Sequence, residues 1–117
     1  MSRLSLVLAA AVLVLSPGAA VAHSLLIASV PSAEAVVNGA PAVMLRFNNR
    51  IEKKLCQIRL VAAGGDAQVL PLRPEGAVDT LEAPLPRLAA GRYRIEWRVL
   101  STDGHVVSGA FGFSVSQ

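Results

Sequence analysis

The two histidines of the chain, His23 and His105, stand where they could bind a metal ion. His23 directly follows Ala20-Val21-Ala22, a small-residue sequence of the kind that signal peptidase cleaves. Cleavage there makes His23 the first mature residue, with an imidazole and a free α-amine that bind one ion in a chelate ring. A terminal amine gives up its proton to a metal far more readily than a peptide amide does.

The second histidine lies in the segment Ser101-Thr102-Asp103-Gly104-His105. Asp103 and His105 are two residues apart, a spacing that projects both side chains to one side of an extended chain, and Gly104 allows a tight turn between them. With His23 they make a set of three nitrogens and one oxygen, which favours Cu(II). Zinc remains an alternative on ligand type. Cu(I) prefers sulfur, and Met44 is the one methionine that remains once the leader is removed.

Residues 1–22 are predicted to be a cleaved signal peptide. Arg3 supplies a positive start, residues 4–15 an apolar run, and Pro17-Gly18 a helix break. The run is shorter than the roughly 20 residues that a membrane helix needs. No cysteine follows the cleavage site to accept a lipid, so no membrane anchor is expected. Residues 23–117 then form one domain, exported to the periplasm.

Charge and cysteine content exclude two further classes of protein. The formal net charge of +3 is too weak and too dispersed for nucleic-acid binding. Cys56 is the single cysteine, so an intramolecular disulfide is impossible and core packing must hold the domain. Alternation places Cys56 on the face of Ile58 and Leu60, which favours a small buried side chain; a thiolate copper ligand and an intermolecular disulfide remain alternatives.

After residue 22, period-2 alternation recurs between turn residues, without sustained helical periodicity. The predicted strands are residues 25–29, 43–47, 55–61, 68–72, 80–83, 92–100 and 107–115. About seven short strands in one domain predict an all-β fold, an immunoglobulin-like Greek-key β-sandwich. Tyr93, near the start of the longest strand, has the position of a tyrosine corner, whose hydroxyl bonds back to upstream backbone.

Several segments together resemble the CopC family of periplasmic copper-binding proteins. They are, after the signal peptide and His23, Ser29-Val30-Pro31, Val43-Met44-Leu45-Arg46-Phe47, Leu88-x-x-Gly91-x-Tyr93-x-x-x-Trp97-Arg98-Val99-x-Ser101-x-Asp103-Gly104-His105, and Gly109-x-Phe111-x-Phe113. The resemblance covers essentially the whole predicted mature chain. Its most specific part is the segment from Trp97 to His105.

The resemblance implies a small β-sandwich that binds one Cu(II) per mature chain through the amine and imidazole of His23, Asp103 and His105. It also implies a candidate partner, an inner-membrane copper transporter of the CopD type, to which a free carrier could dock. Two features depart from the family. Asn48 and Asn49 occupy a stretch that often carries an acidic residue near the copper, and the methionine-rich Cu(I) loop of some members is missing.

The sequence thus predicts a periplasmic Cu(II)-binding protein, not an enzyme, that sequesters or delivers copper in copper homeostasis or resistance. One alternative is a copper monooxygenase with a histidine brace, which needs an open coordination position that Asp103 would fill. The other is an immunoglobulin-like interaction domain without metal. The mature N-terminus separates these classes, because the amine ligand exists only if His23 comes first.

Overall fold

The computed structural model describes residues 25–116, so the predicted signal peptide and His23 lie outside the described residues. Within them the chain forms strands and one short 3₁₀ turn. The elements are β1 (Leu26–Val30), β2 (Val36–Val37), β3 (Ala42–Phe47), the turn Lys53–Leu55, β4 (Gln57–Ala62), β5 (Ala67–Val69), β6 (Thr80–Pro84), β7 (Gly91–Leu100) and β8 (Val106–Val115). No helix in residues 25–116 is long and apolar enough to cross a membrane.

The strands form two sheets, which confirms the predicted all-β sandwich. One sheet has the order β1-β3-β6 and the other the order β2-β8-β7-β4-β5. Neighbours pair antiparallel except β2, which runs parallel to the end of β8. The chain crosses between the sheets after β1, β2, β3, β5 and β6, so residues distant in sequence meet at the two ends of the sandwich.

The core lies between the sheets and follows the alternation of the sequence. Val43, Leu45 and Phe47 of β3 are fully buried and face residues of β4, β7 and β8. Full burial of such a side chain stabilises a fold by about 1.5–3 kcal/mol. Ion pairs on the outer faces are solvent-exposed and contribute far less. Packing therefore fixes the positions of the strand ends that carry the loops.

Three local details differ from the sequence prediction. The described residues contain eight strands, because the two-residue β2 has no alternation to reveal it. Leu55 belongs to a 3₁₀ turn instead of a strand, since its N–H donates to the Glu52 carbonyl at 2.9 Å. β5 ends at Val69 and does not extend to residue 72, because Pro71 cannot donate to a ladder.

Two side-chain predictions concern Cys56 and Tyr93. Cys56 lies just before β4 and is half-buried against the core, with its thiol donating to the Glu52 carbonyl at 3.1 Å. The Tyr93 hydroxyl donates to the Ala89 carbonyl at 2.6 Å, which confirms the tyrosine corner.

Candidate metal centre

The β7–β8 hairpin loop carries the two candidate ligands that the structure describes. The Ser101 N–H donates to the His105 carbonyl at 2.9 Å, and the Gly104 N–H donates to the Ser101 carbonyl at 2.9 Å. Gly104 has a φ of 89°, a conformation that side-chain-bearing residues rarely adopt. Ser101, the residue at the start of the loop, is buried, so the loop begins from a packed position. The turn brings residues 103 and 105 to the same surface.

Asp103 and His105 are in direct contact across this turn. One carboxylate oxygen of Asp103, Oδ1, accepts a hydrogen bond from the His105 backbone N–H at 3.1 Å. The other, Oδ2, lies 3.2 Å from the imidazole Nδ1. Both side chains remain partly open to solvent. The carboxylate therefore fixes both the loop backbone and the orientation of the imidazole ring.

The spacing of this pair suits two ligands of one ion. Divalent metals such as zinc bind imidazole nitrogen and carboxylate oxygen at about 2.0–2.2 Å, so two neighbouring donors on one ion lie about 3.0–3.4 Å apart. The observed 3.2 Å between Nδ1 and Oδ2 is close to that separation. Residues 25–116 contain no cluster of three or more His, Cys, Asp or Glu side chains that could hold a metal ion. The predicted third ligand residue, His23, is outside this range.

The first described residue, Leu25, is two residues beyond His23. Its N–H donates to the side-chain Oδ1 of Asn48 at 2.7 Å, and its carbonyl accepts from the Asn48 N–H at 3.0 Å. The Leu25–Asn48 pair is therefore the contact of the described chain that is nearest in sequence to His23.

Backbone bonds connect the Leu25–Asn48 pair with the hairpin loop. The Thr102 N–H donates to the Arg50 carbonyl at 3.4 Å, and Ile51 forms an isolated antiparallel bridge with Ser101. Residues 48–51 therefore run between the start of β1 and the β7–β8 loop. A shallow pocket at this end of the sandwich is lined by Asn49, Arg50, Ser101, Thr102 and Asp103. The start of β1 and the pair Asp103–His105 lie at the same end of the domain.

Sequence reasoning did not find the part that Asn48 plays in this arrangement. The residue stood out only as a departure from an acidic family position. Its contact with Leu25 joins residues 23 positions apart and depends on how β1 pairs with β3. No local signal in a single sequence reports such a contact.

The hairpin loop of this small β-sandwich holds an imidazole against a carboxylate, two groups that could bind a metal ion, and known proteins share the fold. Residues 26–116 match the CopC domain. Copper resistance protein C of Escherichia coli is 32% identical over 108 residues, which cover 82% of this chain and 83% of that protein. The copper transport protein CutJ of Bacillus subtilis is 32% identical over 113 residues, but the chain spans only 20% of its length.

Solved structures of copper proteins have the same fold as this chain. The crystal structure of CopC from Methylosinus trichosporium OB3b superposes with a TM-score of 0.73 at 31% identity, covering 80% of this chain and 94% of that one. PcoC, a methionine-rich copper resistance protein from Escherichia coli, gives a TM-score of 0.70 at 26% identity and covers 80% and 99%. The chain belongs to the CopC family.

Proposed function

We propose that this protein binds Cu(II) in the periplasm and sequesters or delivers it as cargo, contributing to copper homeostasis or resistance. One site per mature chain uses the amine and imidazole of His23, the carboxylate of Asp103 and the imidazole of His105. The observation that carries the proposal is the contact between Asp103 and His105 in a CopC domain. Relatives named for copper resistance and copper transport support the choice of metal.

The donor types support Cu(II) over Cu(I). Imidazole, amine and carboxylate are donors for the divalent ion, whereas Cu(I) is selected by thioether and thiolate sulfur. PcoC is described as methionine-rich, but this chain has two methionines, of which Met1 falls in the predicted leader. Met44 lies on the outer face of β3, away from the hairpin loop. A methionine-rich Cu(I) site therefore forms no part of the proposal.

Binding is favoured over catalysis by the position of Asp103. A carboxylate that reaches the His105 ring takes a coordination position that a monooxygenase would keep open for its oxidant. The large aromatic side chains Phe47, Trp97 and Phe113 are buried in the core, so they do not form a flat surface for a polysaccharide. An exported carrier that docks on an inner-membrane transporter of the CopD type completes the proposed role.

The proposal is tested by Cu(II) titration of protein that begins at His23, compared with Asp103→Asn and His105→Ala. Each variant should bind at least about tenfold more weakly, because even groups that only orient a ligand contribute 10–100-fold to metal affinity. Both residues lie on the surface loop, so thermal unfolding followed by circular dichroism should be nearly unchanged.

Asp66→Asn is the matched control. Asp66 lies in the exposed turn after β4, at the opposite end of the sandwich from the hairpin loop, and its loss should leave copper affinity unchanged. If Asp103→Asn and His105→Ala bind copper as tightly as Asp66→Asn, the proposed site is wrong.

A further inference from the structure

The outer face of the five-stranded sheet collects arginines that are dispersed along the sequence. Arg92, Arg94 and Arg98 alternate along β7, and the residues between them face the core. Strand pairing places Arg59 of β4 directly opposite Glu96, on the same outer side. We call this surface, made of the four arginines and Glu96, the arginine face.

Glu96 holds two of these arginines in place. Its Oε1 accepts a hydrogen bond from Arg59 at 2.5 Å, and its Oε2 accepts one from Arg94 at 2.6 Å. The Arg59 and Arg94 side chains are still 45% and 57% exposed. Each guanidinium has five N–H donors, so most donors of this pair can bind a further carboxylate. Arg98 is exposed and forms no ion pair with a carboxylate of residues 25–116.

The excess positive charge of the domain lies on this face. Arg3 is the one charged residue of the chain outside residues 25–116, so the described residues carry a formal charge of +2. The face has four arginines against two carboxylates, those of Glu96 and of Glu34, which lies 3.7 Å from Arg92 at the edge of the sheet. All other charges of residues 25–116 therefore balance. The arginine face is the electrostatic complement of an acidic surface.

We propose that the arginine face is a docking surface for an acidic polypeptide segment of another protein. Protein interfaces are enriched in arginine and depleted in lysine, and both lysines of the chain lie elsewhere, in the turn Lys53–Leu55. Adjacent strands of a sheet rotate by about 20–25°, so five strands do not present the plane that a bilayer would need. A polypeptide can follow the twist. The inference goes beyond the proposed function, because the surface is assigned without the metal.

The arginine face begins beside the candidate metal centre. Arg98 pairs with Ser108, which is three residues, or about 10 Å of strand, from His105. A shallow pocket of about 240 Å³ between Arg59 and Arg98 is also lined by Gln57 and Ser108, and it has room for a carboxylate side chain. A segment bound along β7 can therefore reach the hairpin loop.

The test titrates metal-free protein with a decaglutamate peptide at low ionic strength and follows the amide signals by nuclear magnetic resonance. In the wild type the shifted signals should lie on β7 and β8 around Arg94 and Arg98. The double variant Arg94→Gln/Arg98→Gln should bind the peptide roughly tenfold more weakly, because charge-assisted hydrogen bonds to carboxylates are lost. Arg46→Gln/Arg87→Gln is the control of equal charge. Both of its positions are exposed and lie off the arginine face, so it should bind like the wild type.

Three results would overturn the proposal. Equal weakening in the two double variants would show that net charge alone attracts the peptide. Shifted signals away from the arginine face would show that the peptide binds elsewhere. Tighter binding of the same arginines to vesicles of equimolar phosphatidylglycerol and phosphatidylcholine than to decaglutamate would assign the face to a membrane. Titration of Arg94→Gln/Arg98→Gln with Cu(II) should match the wild type, so failure of the docking surface and failure of the copper site are distinguishable.

Discussion

Gly109 lies against the single tryptophan of the chain and should not tolerate a side chain. It is the cross-strand partner of Trp97 in the β7–β8 pair. A Cβ at position 109 would lie 2.3 Å from Cζ2 and 2.7 Å from Cε2 of the Trp97 ring. The ring has little room to move, because it is nearly buried and packs edge-to-face on Phe47 with 5.2 Å between ring centroids. We therefore expect Gly109→Ala to destabilise the domain.

The size of the effect follows from the clash. Overpacking of a well-packed core costs about 1–3 kcal/mol. For a domain of about 100 residues, each 1 kcal/mol lowers the melting temperature by about 4–8 °C. A cost of about 2 kcal/mol should thus lower the melting temperature of Gly109→Ala by roughly 10 °C.

A double-mutant cycle with Trp97→Phe tests the cause. Phenylalanine lacks the ring atoms that the new methyl group meets, and it also removes an indole N–H that is buried without a hydrogen-bond partner among residues 25–116. Gly109→Ala should cost much less in the Trp97→Phe background than in the wild type. Circular dichroism is the appropriate probe, since the variant lacks the tryptophan fluorophore.

Gly112→Ala is the control on the same strand. Its Cβ would approach the flexible ends of Glu34 at 3.4 Å and Arg92 at 3.9 Å and the Tyr93 carbonyl at 3.6 Å, so its effect should be small. Two results would contradict the described packing of Gly109 against Trp97. One is an equal melting temperature for Gly109→Ala and Gly112→Ala, and the other is an unchanged destabilisation by Gly109→Ala in the Trp97→Phe background.

Three further predictions concern the thiol, the tyrosine corner and an exposed ion pair. Burial raises the pKa of the Cys56 thiol; a backbone hydrogen bond from Leu100 opposes this effect and the nearby Glu52 carboxylate reinforces it. Alkylation of Cys56 by iodoacetamide near neutral pH should therefore be slower in the folded protein than in urea. Equal rates would contradict this. Tyr93→Phe removes the 2.6 Å bond to the Ala89 carbonyl and should cost about 0.5–1.5 kcal/mol in urea unfolding, and a stability equal to the wild type would show that this corner contributes nothing. The hydrogen bond from Arg59 lowers the pKa of Glu96. The stabilisation by the ionised Glu96 is therefore complete above the ordinary glutamate pKa and is lost as the pH falls through the lowered pKa, so the difference in melting temperature between wild type and Glu96→Gln should shrink in acid. A difference independent of pH would show that the Arg59–Glu96 pair does not stabilise the fold.

The long strands could be predicted from the sequence because their alternation is long. β7 and β8 begin and end within one residue of the predicted bounds, since each has ten residues with one face less exposed than the other. The short β2 escaped prediction because two residues have no period. Leu55 was wrongly assigned to a strand because local turn bonds, which alternation does not report, compete with the ladder there.

The candidate site, like the strands, could be predicted from the sequence only in part. The approach of Asp103 and His105 is local, and their spacing around Gly104 was enough to predict that both side chains face one side. The restraint of Leu25 by Asn48 depends on strand pairing and could not be predicted from one sequence. The place of His23 depends on proteolytic processing, and the site that includes it stays a prediction.

The central claim is that His23 binds Cu(II) through both its amine and its imidazole. The most direct test compares protein that begins at His23, verified by mass spectrometry, with the same protein carrying one extra alanine before His23. The extension converts the amine into a peptide amide, which is a poor ligand at neutral pH. We predict much weaker Cu(II) binding by the extended form and a changed electron paramagnetic resonance spectrum, because the free amine then belongs to a different residue from the imidazole. Equal affinity and an identical spectrum would contradict the claim.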